Sequence, residues 1–189
     1  MHLVSSKNKQ PRRKKDDWLR AALEVFEKEG IEGVRVERLA RDLNVAKSGF
    51  YWHFKDRDQL YDELLGLWEQ ESTLDVTTSD AIVSLPPADR LLRTAYLIWV
   101  HDLTRFDLPF QAWAQRDPKV LDRVHQVYEQ RLSWIRQMFR DLGFKGEDLE
   151  MRTRFFVVYH AWERTVFPQL PKAQAKRLIK RRVDLLVHP

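Results

Sequence analysis

The sequence predicts an all-α protein of about nine helices, with an N-terminal helix-turn-helix module and a C-terminal helical module. Apolar residues recur at intervals of three and four along most of the 189 residues, which is the period of an α-helix. No segment shows the strict alternation of a half-buried strand, and no internal repeat or glycine-rich phosphate loop is present. These observations predict a helical fold and exclude a nucleotide-binding fold built on a parallel sheet.

Four helices are predicted in the N-terminal third. The first ends near Gly30 and the second at Leu43, after which Asn44 tolerates the left-handed backbone of a tight turn. A third short helix covers about 46–53, and Asp56 can cap the fourth. The apolar positions that define these helices are Trp18, Ala22, Val25, Phe26, Val36, Leu39, Ala40, Leu43, Leu60, Leu64, Leu65, Leu67 and Trp68.

The C-terminal part is predicted to begin after a connection. Residues 72–87 contain Ser, Thr and two prolines, which break the helical period. A helix over 91–106 follows. Asp117 and Pro118 are typical of a helix start, and Gly143 closes the long helix that they begin. The last two predicted helices cover about 147–167 and 172–187.

Charge divides the chain unevenly. Residues 1–57 contain 14 Lys or Arg and 9 Asp or Glu, a net charge of +5, whereas residues 58–189 contain 19 of each kind. Basicity at one end favours a module that faces a polyanion, joined to a neutral one. We therefore predict a basic flexible arm over 1–11, a polyanion-facing module over 12–71 and a second module over 72–189. A solvated tail remains the alternative for the arm.

Composition also excludes several classes of protein. The chain has no cysteine, so disulfides, thiolate metal sites and cysteine nucleophiles are excluded. Its apolar runs, such as 95–100 and 155–159, are too short to cross a bilayer, and no apolar run follows the basic N-terminus as in a secretory signal. No paired carboxylates or nucleophile arrangement predict catalysis. We expect a cytoplasmic protein that is not an enzyme and that associates with the nucleoid when bound to DNA.

The segment LNVAKSGFYWHFK, residues 43–55, crowds four aromatic residues and a histidine into five positions. Phe50 and Phe54 are four residues apart, so they share one helical face and are predicted to anchor the helix to the core. The remaining side chains are left to face outward. They suit a DNA major groove, where ammonium and hydroxyl groups donate to base edges and aromatic rings pack on thymine methyl groups. A small bundle with an accidentally exposed aromatic residue is the alternative.

Residues 30–65, GIEGVRVERLARDLNVAKSGFYWHFKDRDQLYDELL, resemble the DNA-binding domain of TetR-family transcriptional repressors. The resemblance implies a homodimeric repressor that leaves a palindromic operator when a small molecule enters the C-terminal domain. The chain departs from the family at Arg35 and Val36, where a capping Ser or Thr is common, and Glu37 is not expected to read a base. The expected DNA-binding residues are Arg35, Lys47, Ser48, Gly49, Tyr51, Trp52, His53, Lys55 and Arg57, with the helix-turn-helix over about 35–54.

Within that set the expected roles differ. Gly49 is expected to let the helix approach the DNA backbone closely, and Lys55 precedes the start of the next helix. Arg57 matches the phosphate-binding lysine of the family, and a helix start favours phosphate. Dimerisation is expected through the helices over 147–167 and 172–187.

The C-terminal module is rich in aromatic residues, which often line small-molecule pockets. The residues expected to bind an unidentified effector are Trp99, Phe106, Phe110, Trp113, His125, Tyr128, Tyr159 and Trp162. A core built from large residues is the alternative for each of them. Pairs such as His160 with Glu163 have ligating spacing, but too few converge for a metal site, so no metal or cofactor is expected.

Two other hypotheses stay open at this stage. One is a helical-bundle protein or enzyme that binds a small molecule without a specific operator. The other is an architectural protein that binds DNA without sequence preference.

Overall fold

The computed structural model describes residues 13–188, so the predicted arm over 1–11 lies outside the described residues. Every regular element within 13–188 is helical and none is a strand, which confirms the all-α prediction. The chain forms two compact units, of which the first ends at Leu65 and the second begins at Gly66. This division falls inside a continuous helix, earlier than the boundary predicted after residue 71.

The first unit contains three α-helices or parts of them and two 3₁₀ helices. Its elements are α1 (Lys15–Glu29), a 3₁₀ turn (Ile31–Gly33), α2 (Val36–Asp42), the recognition helix (Lys47–Trp52, 3₁₀) and the start of α3 (Arg57–Glu69). Their buried side chains form one core. Its largest fully buried members are Trp18, Phe26, Leu39, Phe50, Phe54, Leu60 and Leu64.

Local chemistry sets the ends of these helices. Gly30 has a φ of 72° where α1 stops, and Asn44 has a φ of 54° in the turn before the recognition helix, as predicted. The Asp56 carboxylate accepts the Gln59 backbone N–H at 2.8 Å, which caps α3. Within the described residues Arg35 makes no side-chain cap at the start of α2, as the missing Ser or Thr predicts.

The second unit begins within α3 and continues through a π-helical turn. Its further elements are the turn Gln70–Leu74, α4 (Asp75–Thr77), α5 (Asp80–Val83), α6 (Pro87–His101), α7 (Asp107–Ala114), α8 (Pro118–Asp141), α9 (Gly146–Val166) and α10 (Lys172–Val187). The long helices α6, α8, α9 and α10 enclose the main core of this unit. Its buried residues are Leu91, Ala95, Ile135, Met138, Phe139, Leu149, Phe156, Val157, Ile179 and Val183.

Two sequence expectations for this unit need correction. The predicted helix over 91–106 ends at His101, because Asp102 turns the backbone into the left-handed region at a φ of 52°. Its N–H bonds the Ile98 carbonyl, and the separate helix α7 follows. The predicted connection over 72–87 is partly helical, since it contains α4, α5 and the end of the π-helical turn. Short helices of three or four residues give too little periodicity to be predicted.

No helix within residues 13–188 is long and apolar enough to cross a membrane.

Candidate nucleic-acid interface and helical-domain cavity

The recognition helix is fixed to the first unit by two phenylalanines. Phe50 and Phe54 have exposed fractions of 0% and 1%, and their rings stack with centroids 4.9 Å apart. The Phe50 ring also meets the Trp18 ring edge-on at 5.6 Å. Such ring pairs stabilise beyond the area that they bury, so this short helix has a rigid support. The four-residue spacing in the sequence predicts both inward positions.

The opposite side of the recognition helix carries large side chains in solvent. Tyr51 and Trp52 have exposed fractions of 56% and 71%, and Ser48 is also exposed. The Tyr51 ring lies edge-on to Phe50 at 5.3 Å, so its position is set while its face and hydroxyl stay accessible. A fixed helix that presents aromatic rings and hydroxyl groups to solvent has the chemistry needed to contact base edges and sugars.

Lys47 is exposed, but its ammonium group is already paired with a carboxylate. Its ammonium group lies 2.5 Å from a carboxylate oxygen of Glu37 on α2. This hydrogen bond and the attraction between the charges raise the pKa of Lys47 and lower the pKa of Glu37. Lys47 therefore has to exchange a carboxylate partner for any base or phosphate that it binds, and Glu37 places a negative charge beside the recognition helix.

His53 does not point wholly outward, which corrects the sequence expectation for this residue. Its Nε2 donates to the backbone carbonyl of Arg13 at 2.9 Å, and the side chain is half-buried. Arg13 in turn donates from Nε to the Leu43 carbonyl at 3.3 Å. His53 thus holds the chain just before α1. No local pattern could indicate this contact, because its two residues are 40 positions apart.

Three further cationic residues of the expected DNA-binding set lie at the surface. Arg35 donates from Nε to the Glu32 carbonyl at 3.1 Å, so its side chain lies along the turn before α2. Lys55 is exposed just before α3, and Arg57 is exposed in the first turn of that helix. The N-terminus of a helix attracts anions through its free N–H groups, which adds to the charge of these side chains.

Neither the backbone conformation nor the packing at position 49 requires a glycine. A Cβ at this position would come 3.6 Å from the Trp18 ring, an ordinary contact. The protein fold therefore tolerates alanine here, and the expected role of Gly49 in close approach to DNA stays a prediction.

The second unit contains a cavity of about 50 Å³ among the π-helical turn, α4, α6, α8 and α9. Apolar side chains alternate on its wall with hydroxyl groups and an indole. The lining residues are Ser72, Thr73, Val76, Thr77, Thr94, Ile98, Thr104, Arg131, Trp134, Ile135, Phe156, Val157, His160 and Ala161. The sequence gives little sign of this cavity, because threonines at helical positions are common on surfaces.

Arg131 forms a buried ion pair beside the cavity. Its Nη1 lies 2.7 Å from one oxygen of Asp107, and its Nη2 lies 3.1 Å from the other. The remaining donors reach the Thr73 hydroxyl at 2.9 Å and the Ser72 hydroxyl at 2.7 Å. Trp68 donates its indole N–H to Asp107 at 2.9 Å. A bidentate pair with these additional hydrogen bonds joins the π-helical turn, α7 and α8.

His160 is buried on the cavity wall and neutral. Its Nδ1 donates to the Phe156 carbonyl at 2.6 Å, and its Nε2 accepts from Nη1 of Arg182 at 3.1 Å. Burial lowers the pKa of His160 from 6.5 to about 3, opposed by the hydrogen bond to Phe156 and supported by the nearby Arg182 charge. The imidazole therefore brings no charge to the cavity at physiological pH.

Replacing His160 by Gln should flatten the acid side of the stability profile. The folded state resists protonation until a pH of about 3, whereas the unfolded chain protonates near 6.5. The contribution of His160 is therefore complete above pH 6.5 and is lost as the pH falls towards 3, at up to about 1.4 kcal/mol per pH unit. Urea unfolding at pH 7 and pH 5 should show a smaller loss for H160Q than for the wild type. Equal losses would contradict the neutral, buried imidazole.

None of the eight residues expected to bind the effector lines this cavity. Phe110 and Trp113 are buried in a stack with Trp68, and Tyr128 donates its hydroxyl to Asp107 at 3.3 Å. His125 and Trp162 lie at the surface. The other three are partly buried elsewhere: Trp99, Phe106 and Tyr159. Several of these rings pack on each other and fill space, whereas the cavity is lined by other residues, among them four threonines, Trp134 and Phe156.

A row of apolar side chains on α9 faces solvent in the single chain. Met151, Phe155, Val158 and Trp162 follow one another at intervals of four, three and four, which places them on one helical face, and all are exposed. The helix α10 adds the exposed Leu178 and Leu185. Apolar rows of this kind mark protein–protein contacts. Within residues 13–188 no group of three or more His, Cys, Asp or Glu residues is placed to hold a metal ion.

The first unit defines a class of protein. Two short helices joined by a turn, supported by a third, with a fixed second helix that presents polar and aromatic groups, form a helix-turn-helix DNA-binding domain. Residues 19–64 match the family described as bacterial regulatory proteins, tetR family. The match covers the helix-turn-helix of the first unit.

A curated protein is similar to part of this chain. The chain is 44% identical to the tetracycline repressor protein class C of Escherichia coli over 46 residues, which are 24% of this chain. It spans about a fifth, 21%, of the length of that repressor.

Solved structures extend the likeness of the fold to most of the chain. A transcriptional regulator from Rhodococcus sp. RHA1 has a TM-score of 0.69 at 13% identity, covering 93% of this chain and 94% of that one. The TetR-family regulator PfmR from Thermus thermophilus has a TM-score of 0.64 at 18% identity, covering 90% and 96%. AibR, solved with isovaleryl coenzyme A and operator DNA, has a TM-score of 0.66 at 15% identity, covering 88% and 95%. At such identities the likeness is one of fold.

Proposed function

We propose that the protein is a transcriptional regulator that binds a double-stranded DNA operator through its recognition helix. The observation that carries the proposal is the pair of exposed rings, Tyr51 and Trp52, on a helix that Phe50 and Phe54 fix to the core. Exposed aromatic side chains are costly in water, and a rigid helix presents them at defined positions. A DNA major groove is the partner that fits a single helix of this kind.

Each exposed group has a chemical role in that groove. Lys47 can donate to guanine once it leaves Glu37, and the hydroxyl groups of Ser48 and Tyr51 can reach base edges or phosphates. The Trp52 ring can pack on a thymine methyl group or a sugar. Arg57, in the first turn of α3, can hold a phosphate near the start of that helix.

The protein acts as a homodimer in this proposal. The exposed apolar row of α9, with Leu178 and Leu185 of α10, is covered by the same surface of a second copy. A symmetric pair of helices from each copy makes a four-helix contact, and the intervals of four and three suit helices that pack side by side. Two recognition helices then meet half-sites about 34 Å apart on a palindromic operator.

A small molecule that binds the second unit releases the DNA, so the protein works as a repressor. The cavity wall includes the π-helical turn and α4, which the chain enters directly from α3. A ligand that favours another conformation of this segment shifts the population of DNA-competent dimers, and near-complete release needs a preference of about 10⁴-fold. The neighbour AibR was solved with an acyl coenzyme A and operator DNA. At about 50 Å³ the cavity of the present protein suits a much smaller molecule. The regulator acts in the cytoplasm, on the nucleoid.

Alanine substitutions on the recognition helix should separate base contacts from phosphate contacts. Tyr51→Ala should weaken binding to an operator selected from random duplexes by about 10-fold or more, with little change on random DNA. Arg57→Ala should weaken binding to both DNAs and reduce the slope of log affinity against log salt by about 1. Fluorescence anisotropy over a salt series measures both effects.

Lys145→Ala is the matched control, since it removes an exposed cation from the second unit. It should leave both affinities unchanged. Equal binding of selected and random duplexes by the wild type would instead indicate an architectural DNA-binding protein, and unchanged binding by Tyr51→Ala and Arg57→Ala would contradict the assigned interface.

A further inference from the structure

Two polar groups on the cavity wall lack partners. The Thr94 hydroxyl and the indole Nε1 of Trp134 are both buried, and neither has a hydrogen-bond partner among residues 13–188. Thr94 itself has an exposed fraction of 4%. Buried polar groups are almost always paired, and an unpaired one costs about 1–3 kcal/mol. Because both groups lie on the wall of one small cavity, we infer that a molecule bound in the cavity supplies the missing hydrogen bonds.

The indole restricts the chemistry of that occupant. An indole N–H only donates, so it needs an acceptor, whereas a threonine hydroxyl can donate or accept. An oxygen with lone pairs satisfies both groups without a hydrogen of its own. Six of the other lining residues are apolar: Val76, Ile98, Ile135, Phe156, Val157 and Ala161. A compact hydrocarbon body fits this part of the wall.

The charged groups on the wall are already compensated. Arg131 is paired with both oxygens of Asp107 and with the hydroxyl groups of Ser72 and Thr73. His160 is neutral and occupied at both ring nitrogens, by Phe156 and Arg182. A buried anion or cation in the cavity would therefore lack a free countercharge, which is costly in a site of low polarity.

We propose that the cavity binds a small uncharged molecule with an apolar body and one hydrogen-bond-accepting oxygen, such as a short ketone or ester. The accepting oxygen accepts hydrogen bonds from both the indole N–H of Trp134 and the hydroxyl of Thr94. The inference rests on the ligand-released function proposed above and specifies the class of its effector. The cavity, at about 50 Å³, is near a third of the roughly 150 Å³ that holds benzene, so the ligand is short or opens the cavity further.

Two probes of equal size test the charge and the acceptor together. Methyl propyl ketone is neutral, and butyrate replaces its methyl group by a second carboxylate oxygen. With the tryptophan indoles labelled with ¹⁵N, a titration with the ketone should shift the Trp134 Nε1–H resonance in a saturable way. The Trp134→Phe variant assigns that resonance by its disappearance. Butyrate should bind at least about 10-fold more weakly, since its charge is not compensated.

The Thr94→Val variant keeps the shape of the side chain and removes the hydroxyl group. It should weaken binding of the ketone by about 5-fold or more while thermal unfolding stays close to the wild type. Thr165→Val is the control, because Thr165 is exposed and does not line the cavity. Butyrate binding as tightly as the ketone would overturn the neutral class. Absence of any shift with either probe would indicate that ordered water completes the two groups, and would also overturn the inference.

DNA binding is measured separately on the selected operator without probe. If the operator is bound and the ketone does not enter the cavity, the ligand class is wrong and the DNA-binding function stands. If the ketone binds as described but the protein selects no operator, the ligand class stands and the proposed regulator does not.

Discussion

Replacing Phe155 by Asp should convert the proposed dimer into a monomer and lower operator affinity by about 10²- to 10⁴-fold. Phe155 is 61% exposed in the single chain and lies in the middle of the apolar row of α9. A carboxylate placed at this position would be buried without a partner when two copies associate, which is strongly unfavourable. The loss in DNA affinity follows because the second recognition helix no longer binds at a high effective concentration.

Light scattering after size exclusion gives the mass of the particle, and fluorescence anisotropy on the selected operator gives its affinity. Leu108→Asp is the matched control, since Leu108 is a comparably exposed apolar residue (47%) on α7. It should stay dimeric and bind as the wild type does. Circular dichroism should show unchanged helix content in both variants. A dimeric F155D protein would place the contact elsewhere, and a monomer with full affinity would contradict binding to paired half-sites.

The first unit could be predicted in detail because its signals are local. The four-residue spacing of Phe50 and Phe54, the turn residue Asn44 and the cap at Asp56 each act within a few positions. Its long-range contacts could not be predicted. The hydrogen bond from His53 to the Arg13 carbonyl joins residues 40 positions apart, and the pairing of Lys47 with Glu37 depends on how two helices cross.

The second unit shows the limit of composition as a guide to a binding site. Its many aromatic residues suggested a pocket, but rings such as Trp68 and Phe110 stack with centroids 4.6 Å apart and fill the interior. The cavity is bordered instead by threonines, aliphatic side chains and two other aromatic residues, Trp134 and Phe156. A sequence shows which residues are large, but the space left between packed helices depends on their tertiary arrangement.

The ion pair of Asp107 and Arg131 is the site where one substitution should most reduce the stability of the second unit. Asp107→Ala should lower the free energy of unfolding by about 3–5 kcal/mol, because the guanidinium group stays buried without its carboxylate. Trp68 and Tyr128 also lose their acceptor. Urea unfolding followed by far-UV circular dichroism measures the change.

The double variant Asp107→Leu with Arg131→Met should be much less damaging than Asp107→Ala, because it leaves no buried charge. Asp184→Ala is the surface control. Asp184 pairs with Lys180 at 2.7 Å on exposed α10, and such pairs contribute about 0.3–0.5 kcal/mol. The Tyr128 phenol supplies a second signal: burial and the Asp107 charge raise its pKa to about 12, so removing Asp107 should lower it. If Asp107→Ala lowers the free energy of unfolding no more than Asp184→Ala does, solvent reaches the ion pair. The description of the cavity wall as dry and charge-compensated would then be wrong.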